Sequence, residues 1–172
     1  MSTMLGCEQR HSKIKNKKVQ AMLEVVIQNK KYETPDILSF ELVPSGSFIL
    51  PKFEAGSHID VHTTDGLVRQ YSLYNDPEES DVYKIAVLKD PNSRGGSAGV
   101  HATFNINDTI KISEPRNLFP LNEASHRVVL FAGGIGITPL MSMASVLEKQ
   151  GTDFELHYHC RSKSSTAFYD EL

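Results

Sequence analysis

From Met22 onward, apolar and polar residues alternate in short segments. Leu23-Glu24-Val25-Val26-Ile27 is followed by Leu38-Ser39-Phe40-Glu41-Leu42, where the period is strictly two. That alternation places one set of side chains on each face of a pleated strand, so it predicts β structure. Further strands are predicted over 58–63, 68–74, 82–88 and 109–112. Turn residues punctuate them at Pro44-Ser45-Gly46, Thr64-Asp65-Gly66, Asn75-Asp76-Pro77 and Asp90-Pro91-Asn92. Six strands within about 90 residues predict a small antiparallel barrel, which closes a sheet without exposed edges. Between the last two strands, Val100 and Phe104 stand four residues apart, about one helical turn, within 97–105, a segment long enough for two turns of helix.

Beyond Pro120 the pattern changes. Residues 127–132 read as a strand, apolar without interruption from Val128, and Gly133-Gly134-Ile135-Gly136-Ile137 as a tight loop. Leu140, Met143, Ala144 and Leu147 then repeat at helical spacing up to Gly151, and 154–159 reads as a strand again. Strand, glycine turn, helix and strand make a βαβ unit, the start of a parallel α/β domain with a right-handed crossover. A second helix is predicted around 165–172. Two strands cannot make a sheet covered on both faces, so the sequence is expected to be cut inside its second domain. The predicted organisation is a basic tail over 1–20, a six-stranded antiparallel barrel over 21–120, and the incomplete start of a nucleotide-binding parallel α/β domain over 121–172.

Composition narrows the classes. The 172 residues are 40% hydrophobic and 23% charged, which excludes a wholly disordered chain and supplies a core. The longest apolar run, 128–137, has ten residues including three glycines, well short of the roughly 20 that span a bilayer. Cys7 and Cys160 are too few for a disulfide framework, a thiolate zinc site or a four-cysteine cluster, and a reducing cytoplasm is the expected location. The formal charge is −3, but Arg10, Lys13, Lys15, Lys17 and Lys18 against Glu8 give the first twenty residues +4. The remainder carries −7 and would repel phosphate backbones, so neither a nucleic-acid nor a membrane partner is expected. The tail lacks the apolar stretch of a secretory signal.

Three motifs carry candidate chemistry. In Arg69-Gln70-Tyr71-Ser72-Leu73 the strand period puts Arg69 and Tyr71 on one face. A guanidinium fork beside a phenol suits a ligand having both an anion and a flat ring, although a packed tyrosine beside a snorkelling arginine has the same spacing. Arg94-Gly95-Gly96-Ser97 precedes the predicted helix and offers free amides at the positive end of a helix dipole, an anion seat, or else a plain loop with Ser97 as N-cap. Two phosphate-competent features in one small barrel favour a phosphorylated aromatic ligand. The third motif, Gly133-Gly134-Ile135-Gly136-Ile137-Thr138-Pro139, follows a strand and opens a helix, with Thr138 as the expected N-cap and Pro139 at the first helical position. It matches the dinucleotide fingerprint in part, since Pro139 stands where a third small residue belongs. His58 with His62, and His157 with His159 beside Cys160, lack zinc spacing, so no metal is expected. Arg161 and Ser162 fall where an α/β fold places ribose contacts, and equally where a solvated loop would lie.

Together with Asn75-Asp76-Pro77, His101 and Glu114-Pro115-Arg116-Asn117-Leu118-Phe119-Pro120-Leu121, these motifs resemble the phthalate dioxygenase reductase family. The family belongs to the ferredoxin–NADP reductase superfamily and includes vanillate demethylase and carnitine monooxygenase reductases. The resemblance covers about residues 22–172, with five motifs in the family's order. It implies a flavin barrel, a nicotinamide domain and a plant-type [2Fe–2S] domain that pass electrons from NAD(P)H to a Rieske-type oxygenase.

By this resemblance Arg69 holds the flavin phosphate, with Arg94, Gly95, Gly96 and Ser97 cradling it. Tyr71 lies against the isoalloxazine, and Ser72 offers its hydroxyl near the flavin N5, with Leu73 next to it. Thr138 sits where the two domains meet, Gly133, Gly134 and Gly136 face the nicotinamide dinucleotide, and Phe119 packs at the cofactor crevice. Ser72 and Thr138 are the residues nearest the chemistry. The implied flavin is FMN, with FAD left open. The chain departs from the family in lacking the end of the nicotinamide domain and any Cys-x4-Cys-x2-Cys spacing. Flavin binding with weak or no NAD(P)H turnover is therefore expected of these residues alone. The alternative is a non-catalytic flavin-binding or interaction module that self-associates through its incomplete α/β part.

Overall fold

A computed structural model describes residues 22–93, 95–122 and 126–172. The basic tail and Arg94 lie outside them. An antiparallel sheet is ordered β4-β3-β6-β1-β2-β5 from Val68–Ser72 (β4), Ser57–His62 (β3), Thr109–Ser113 (β6), Met22–Thr34 (β1), Ile37–Pro44 (β2) and Tyr83–Leu88 (β5). A short strand Arg116–Asn117 (β7) adds to β3. The two ends of this path meet. Leu73 forms an antiparallel bridge with Ile85, and the Tyr74 amide donates to the Lys84 carbonyl at 3.0 Å, which closes the barrel.

Alternation fills the interior. Ile59 and Val61 of β3, Leu38 and Leu42 of β2, and Ile85 and Val87 of β5 are fully buried, with Phe40 and Phe104 meeting edge to face at 6.0 Å. Helix α1 (Gly96–Thr103) buries Val100 in this core, and His101 Nε2 donates to the Val87 carbonyl at 2.8 Å, which ties α1 to β5. β1 is longer than the predicted 23–27. Its polar second half, from Asn29 to Thr34, pairs with β2 through backbone bonds across register shifts at Ile27/Asn29 and Tyr32/Thr34.

The second part is the parallel pair Arg127–Gly133 (β8) and Asp153–His159 (β9), joined by helix α2 (Ile137–Gln150). Gly151 ends α2 in the left-handed conformation at φ 66, and the Thr152 amide returns to the Leu147 carbonyl at 3.0 Å. Leu130 and Ala132 of β8 pack with Leu140, Met143 and Leu147 of α2, in a cluster that also takes in Ile37, Ala55 and Ala86 from the barrel. Val129 and Phe131 point the other way and are 45% and 69% exposed. The predicted helix over 165–172 does not form. A 3₁₀ turn at Lys163–Ser165 is followed by turns, and Phe168 at φ 60 enters the second cluster instead. Among the described residues no helix is long and apolar enough to cross a membrane.

The turn Asn75-Asp76-Pro77 fastens the two parts. Asn75, 4% exposed, donates to the Val82 carbonyl and accepts the Lys84 amide, while Asp76 pairs with Lys149 of α2 at 2.6 Å. Burial raises the Asp76 pKa, but the hydrogen bonds from Lys149 and the Glu78 amide outweigh it, and the net shift is downward from 3.8. A depressed carboxylate contributes stability above its unfolded pKa and loses it as pH falls through the folded value. Below about pH 4 the wild-type thermal midpoint should therefore fall faster than that of Asp76→Asn, by about 2 °C, in an unfolding series from pH 6 to 3. Parallel curves for the two proteins would remove this role.

Candidate functional site

Strand β4 and the start of α1 bring the first two motifs together. Gly95 is the N-cap of α1 at φ 98, a conformation that favours glycine, and it has no side chain to cap the helix, while Ser93 Oγ accepts the Ala98 amide at 3.5 Å. Ser97 is thus not the N-cap. It lies inside the first turn, and its hydroxyl accepts the Asp90 amide at 3.1 Å, so its own proton is left to donate. The first amides of a helix have no partner within it, and the guanidinium of Arg69 lies over the first residue, Gly96. A Cβ added at Gly96 would come within 2.7 Å of Arg69 Cζ and 2.8 Å of Nη2. Arg69 therefore lies flat against the backbone at the helix start, held by a bond from its Nη1 to the Val68 carbonyl at 2.9 Å. Cation, open amides and helix dipole converge on one spot, which is the chemistry of a phosphate seat.

Two residues along β4, Tyr71 and Ser72 enter the wall of a cavity of about 340 Å³. Its opposite wall is built by Ala86 and Leu88 of β5 and by Ile135, Gly136, Thr138 and Pro139 of the second part. The Tyr71 hydroxyl is buried without a hydrogen-bond partner among the described residues. Burial pushes its pKa up to about 12 against the opposing charge of Arg69, so the phenol is neutral at physiological pH.

Thr138 is 5% exposed, and its hydroxyl donates to the Ile135 carbonyl at 3.0 Å. It does not cap α2 as expected. Gly134–Gly136 form a 3₁₀ turn that runs directly into the helix, so Gly136 is the N-cap and Pro139 the third helical residue. Added Cβ atoms at Gly133, Gly134 and Gly136 would meet nothing within 4 Å, so the loop is open to a ligand.

A larger cavity of about 750 Å³ lies at the carboxyl ends of β8 and β9, where parallel α/β sheets bind ligands. Gly134, His159, Cys160 and Arg161 line it on one side, and Thr34, Asp36 and residues 88–92 on the barrel side. Leu88 and Ile135 line both cavities, so the two are neighbours across one thin wall.

Not every motif residue reaches these walls. Leu73 is fully buried in the barrel core. Phe119 is 55% exposed and lines neither cavity, and its carbonyl is seated against Gly56, which adopts φ 91. Gly133 lines neither, and Ser162 instead forms a reciprocal cap with Ser165. Ala86 and Leu88 carry no sequence signal of a site, because apolar residues in an apolar segment read as core. The exposure of Leu88, 38% at a strand end, is a signal only the structure supplies.

No family model matches the sequence. The vanillate O-demethylase oxidoreductase of a Pseudomonas species is 51% identical over 151 residues, covering 88% of this chain and 48% of that protein. The reductase subunit of tert-butanol monooxygenase / tert-amyl alcohol desaturase from Aquincola tertiaricarbonis is 44% identical over 150 residues, covering 87% of this chain and 44% of that one. Among solved structures, phthalate dioxygenase reductase, described as modular for electron transfer from pyridine nucleotides to [2Fe–2S], matches with a TM-score of 0.85 at 43% identity. It is matched over 88% of this chain and 47% of its own. The chain spans about half the length of the curated relatives it matches. Across that span it is similar to the reductase components of oxygenase systems, vanillate O-demethylase oxidoreductase and phthalate dioxygenase reductase among them.

Proposed function

We propose that this chain is the flavin-binding part of an NAD(P)H-dependent oxidoreductase, a reductase component that passes electrons from NAD(P)H through flavin to a [2Fe–2S] centre and a Rieske-type oxygenase. The observation that carries this is the guanidinium of Arg69 laid on the Gly95–Gly96 helix start beside a cavity walled by both parts of the chain. Residues 21–120 are then the flavin unit and 121–172 the opening of the NAD(P) unit, with 1–20 a tail outside both.

Arg69 and the amides of Gly95, Gly96 and Ser97 would hold the flavin phosphate. Tyr71 offers a neutral phenol to the ring, while Ser72 and Thr138 face the same cavity from opposite sides. FMN is the preferred flavin, because Tyr71 is the one Phe, Tyr or Trp residue in the two linings. Flavin accepts a hydride and releases electrons singly, and the protein's contribution is placement and electrostatics. Gly134 and the β9 end would receive the nicotinamide dinucleotide, with Leu88 and Ile135 shared between its cavity and the flavin cavity. The two cysteines cannot supply four thiolates, so the cluster sits outside these residues.

A second reading, a self-associating flavin or interaction module, is favoured by the exposed Phe131 and Val129 on the β8 face turned away from α2. The purified chain should show a flavin visible spectrum, release a cofactor of FMN mass, and bleach under anaerobic NADH if the dinucleotide site is competent. A colourless protein that takes up neither FMN nor FAD would overturn the flavin assignment and leave the interaction module ahead.

A further inference from the structure

The outer face of β3 carries a polar row outside the flavin site proposed above. Residues directly opposite one another in an antiparallel pair share a face of the sheet. His58 stands opposite Ser72 of β4 on one side and Arg116 of β7 on the other. One step along, Asp60 stands opposite Gln70, accepts its amide at 3.1 Å and pairs with Arg116 at 2.6 Å.

Gln70 and Ser72 both line the smaller cavity. Gln70 is thus tied back to a fixed carboxylate, whereas the counterpart of Ser72 is an imidazole whose Nε2 is buried and has no hydrogen-bond partner among the described residues. A buried nitrogen without a partner forfeits its hydration with no return, so such atoms are rare and mark places where a partner arrives. Burial and the neighbouring Arg116 charge hold the His58 pKa below its usual value, against the opposing pull of Asp60. The ring is therefore neutral at pH 7, and the N–H of a neutral imidazole can donate to a hydroxyl oxygen.

We propose that His58 is a positioning residue for the cavity wall, its Nε2–H donating to Ser72 Oγ when flavin is bound and so leaving the hydroxyl proton to the acceptors of the ring. This rests on the flavin reading. A double-mutant cycle tests it, using FMN dissociation constants from fluorescence titration of wild type, His58→Leu, Ser72→Ala and the double variant, each checked for an unchanged thermal midpoint. The two single variants should each weaken FMN about threefold to tenfold, with the double no weaker than the poorer single.

His58→Gln, which places an amide at the reach of Nε2, should return binding to within about twofold of wild type. The visible band shape of the His58→Leu complex should match that of Ser72→Ala. A wild-type affinity in His58→Leu, or a double variant showing the product of the two single losses, overturns the pairing while leaving the flavin site intact. Failure of the wild-type chain to take up FMN overturns both.

Discussion

Arg69→Ala is expected to weaken FMN binding about 10- to 100-fold while shifting the thermal midpoint by no more than about 2 °C. Hydrogen bonds between a charged donor and a phosphate are worth about 1.5–3 kcal/mol, and the guanidinium supplies them in a planar fork. The same side chain does little for the fold, since its bond within the described residues runs to the carbonyl of its own neighbour, Val68. Arg69→Lys should recover only part of the affinity, because an ammonium is a point charge without the fork. Gly96→Ala should reproduce the loss with Arg69 still present, as the new methyl occupies the space in which the guanidinium lies. Titration of the apoprotein with FMN reads all three. An Arg69→Ala dissociation constant equal to that of wild type would remove the phosphate seat from this strand.

Phe168→Ala should cost about 3–5 kcal/mol of unfolding free energy, a large share of the roughly 5–15 kcal/mol that hold a domain together. Phe168 is 3% exposed, and its ring meets that of Tyr74 at 4.8 Å, beside the fully buried Ala167. Its backbone at φ 60 is unfavourable for any residue but glycine, so packing has to hold it there. Alanine keeps that backbone cost and loses the packing. Urea unfolding of the two proteins at equal pH measures the difference, and a loss below about 1 kcal/mol would mean that the segment after β9 is not part of the core.

The strands of the barrel were legible where burial enforces alternation, as in β2 and β3. The second half of β1 was not, because Asn29, Lys30 and Lys31 are held by backbone pairing to β2 and show no apolar period. α1 starts one residue and α2 two residues before the position the sequence predicts, and neither candidate capping side chain caps its helix. Ser97 and Thr138 have capping side chains, yet the backbone freedom of Gly95 and the 3₁₀ turn at Gly134–Gly136 leave them inside their helices. The segment 165–172 has helical composition and goes elsewhere because the Tyr74 ring and the second cluster offer Phe168 more burial than a helix surface would. Of the candidate site, Arg69, Tyr71, Ser72 and the glycines stood out because their chemistry is wasted in a core. Its walls did not, for Ala86 and Ile135 become neighbours only once two distant segments fold together.

The second core is shared property. Ile37, Ala55 and Ala86 come from the barrel half of the chain, yet they pack among α2, β8 and Phe168. Inheritance is constrained by this. An exchange of halves between related reductases at residue 120 would preserve both glycine motifs and still set a foreign helix on these three side chains. Lineages that recombine here should keep the exchange only where Ile37, Ala55 and Ala86 travel with a matching α2, so the two halves evolve as a pair.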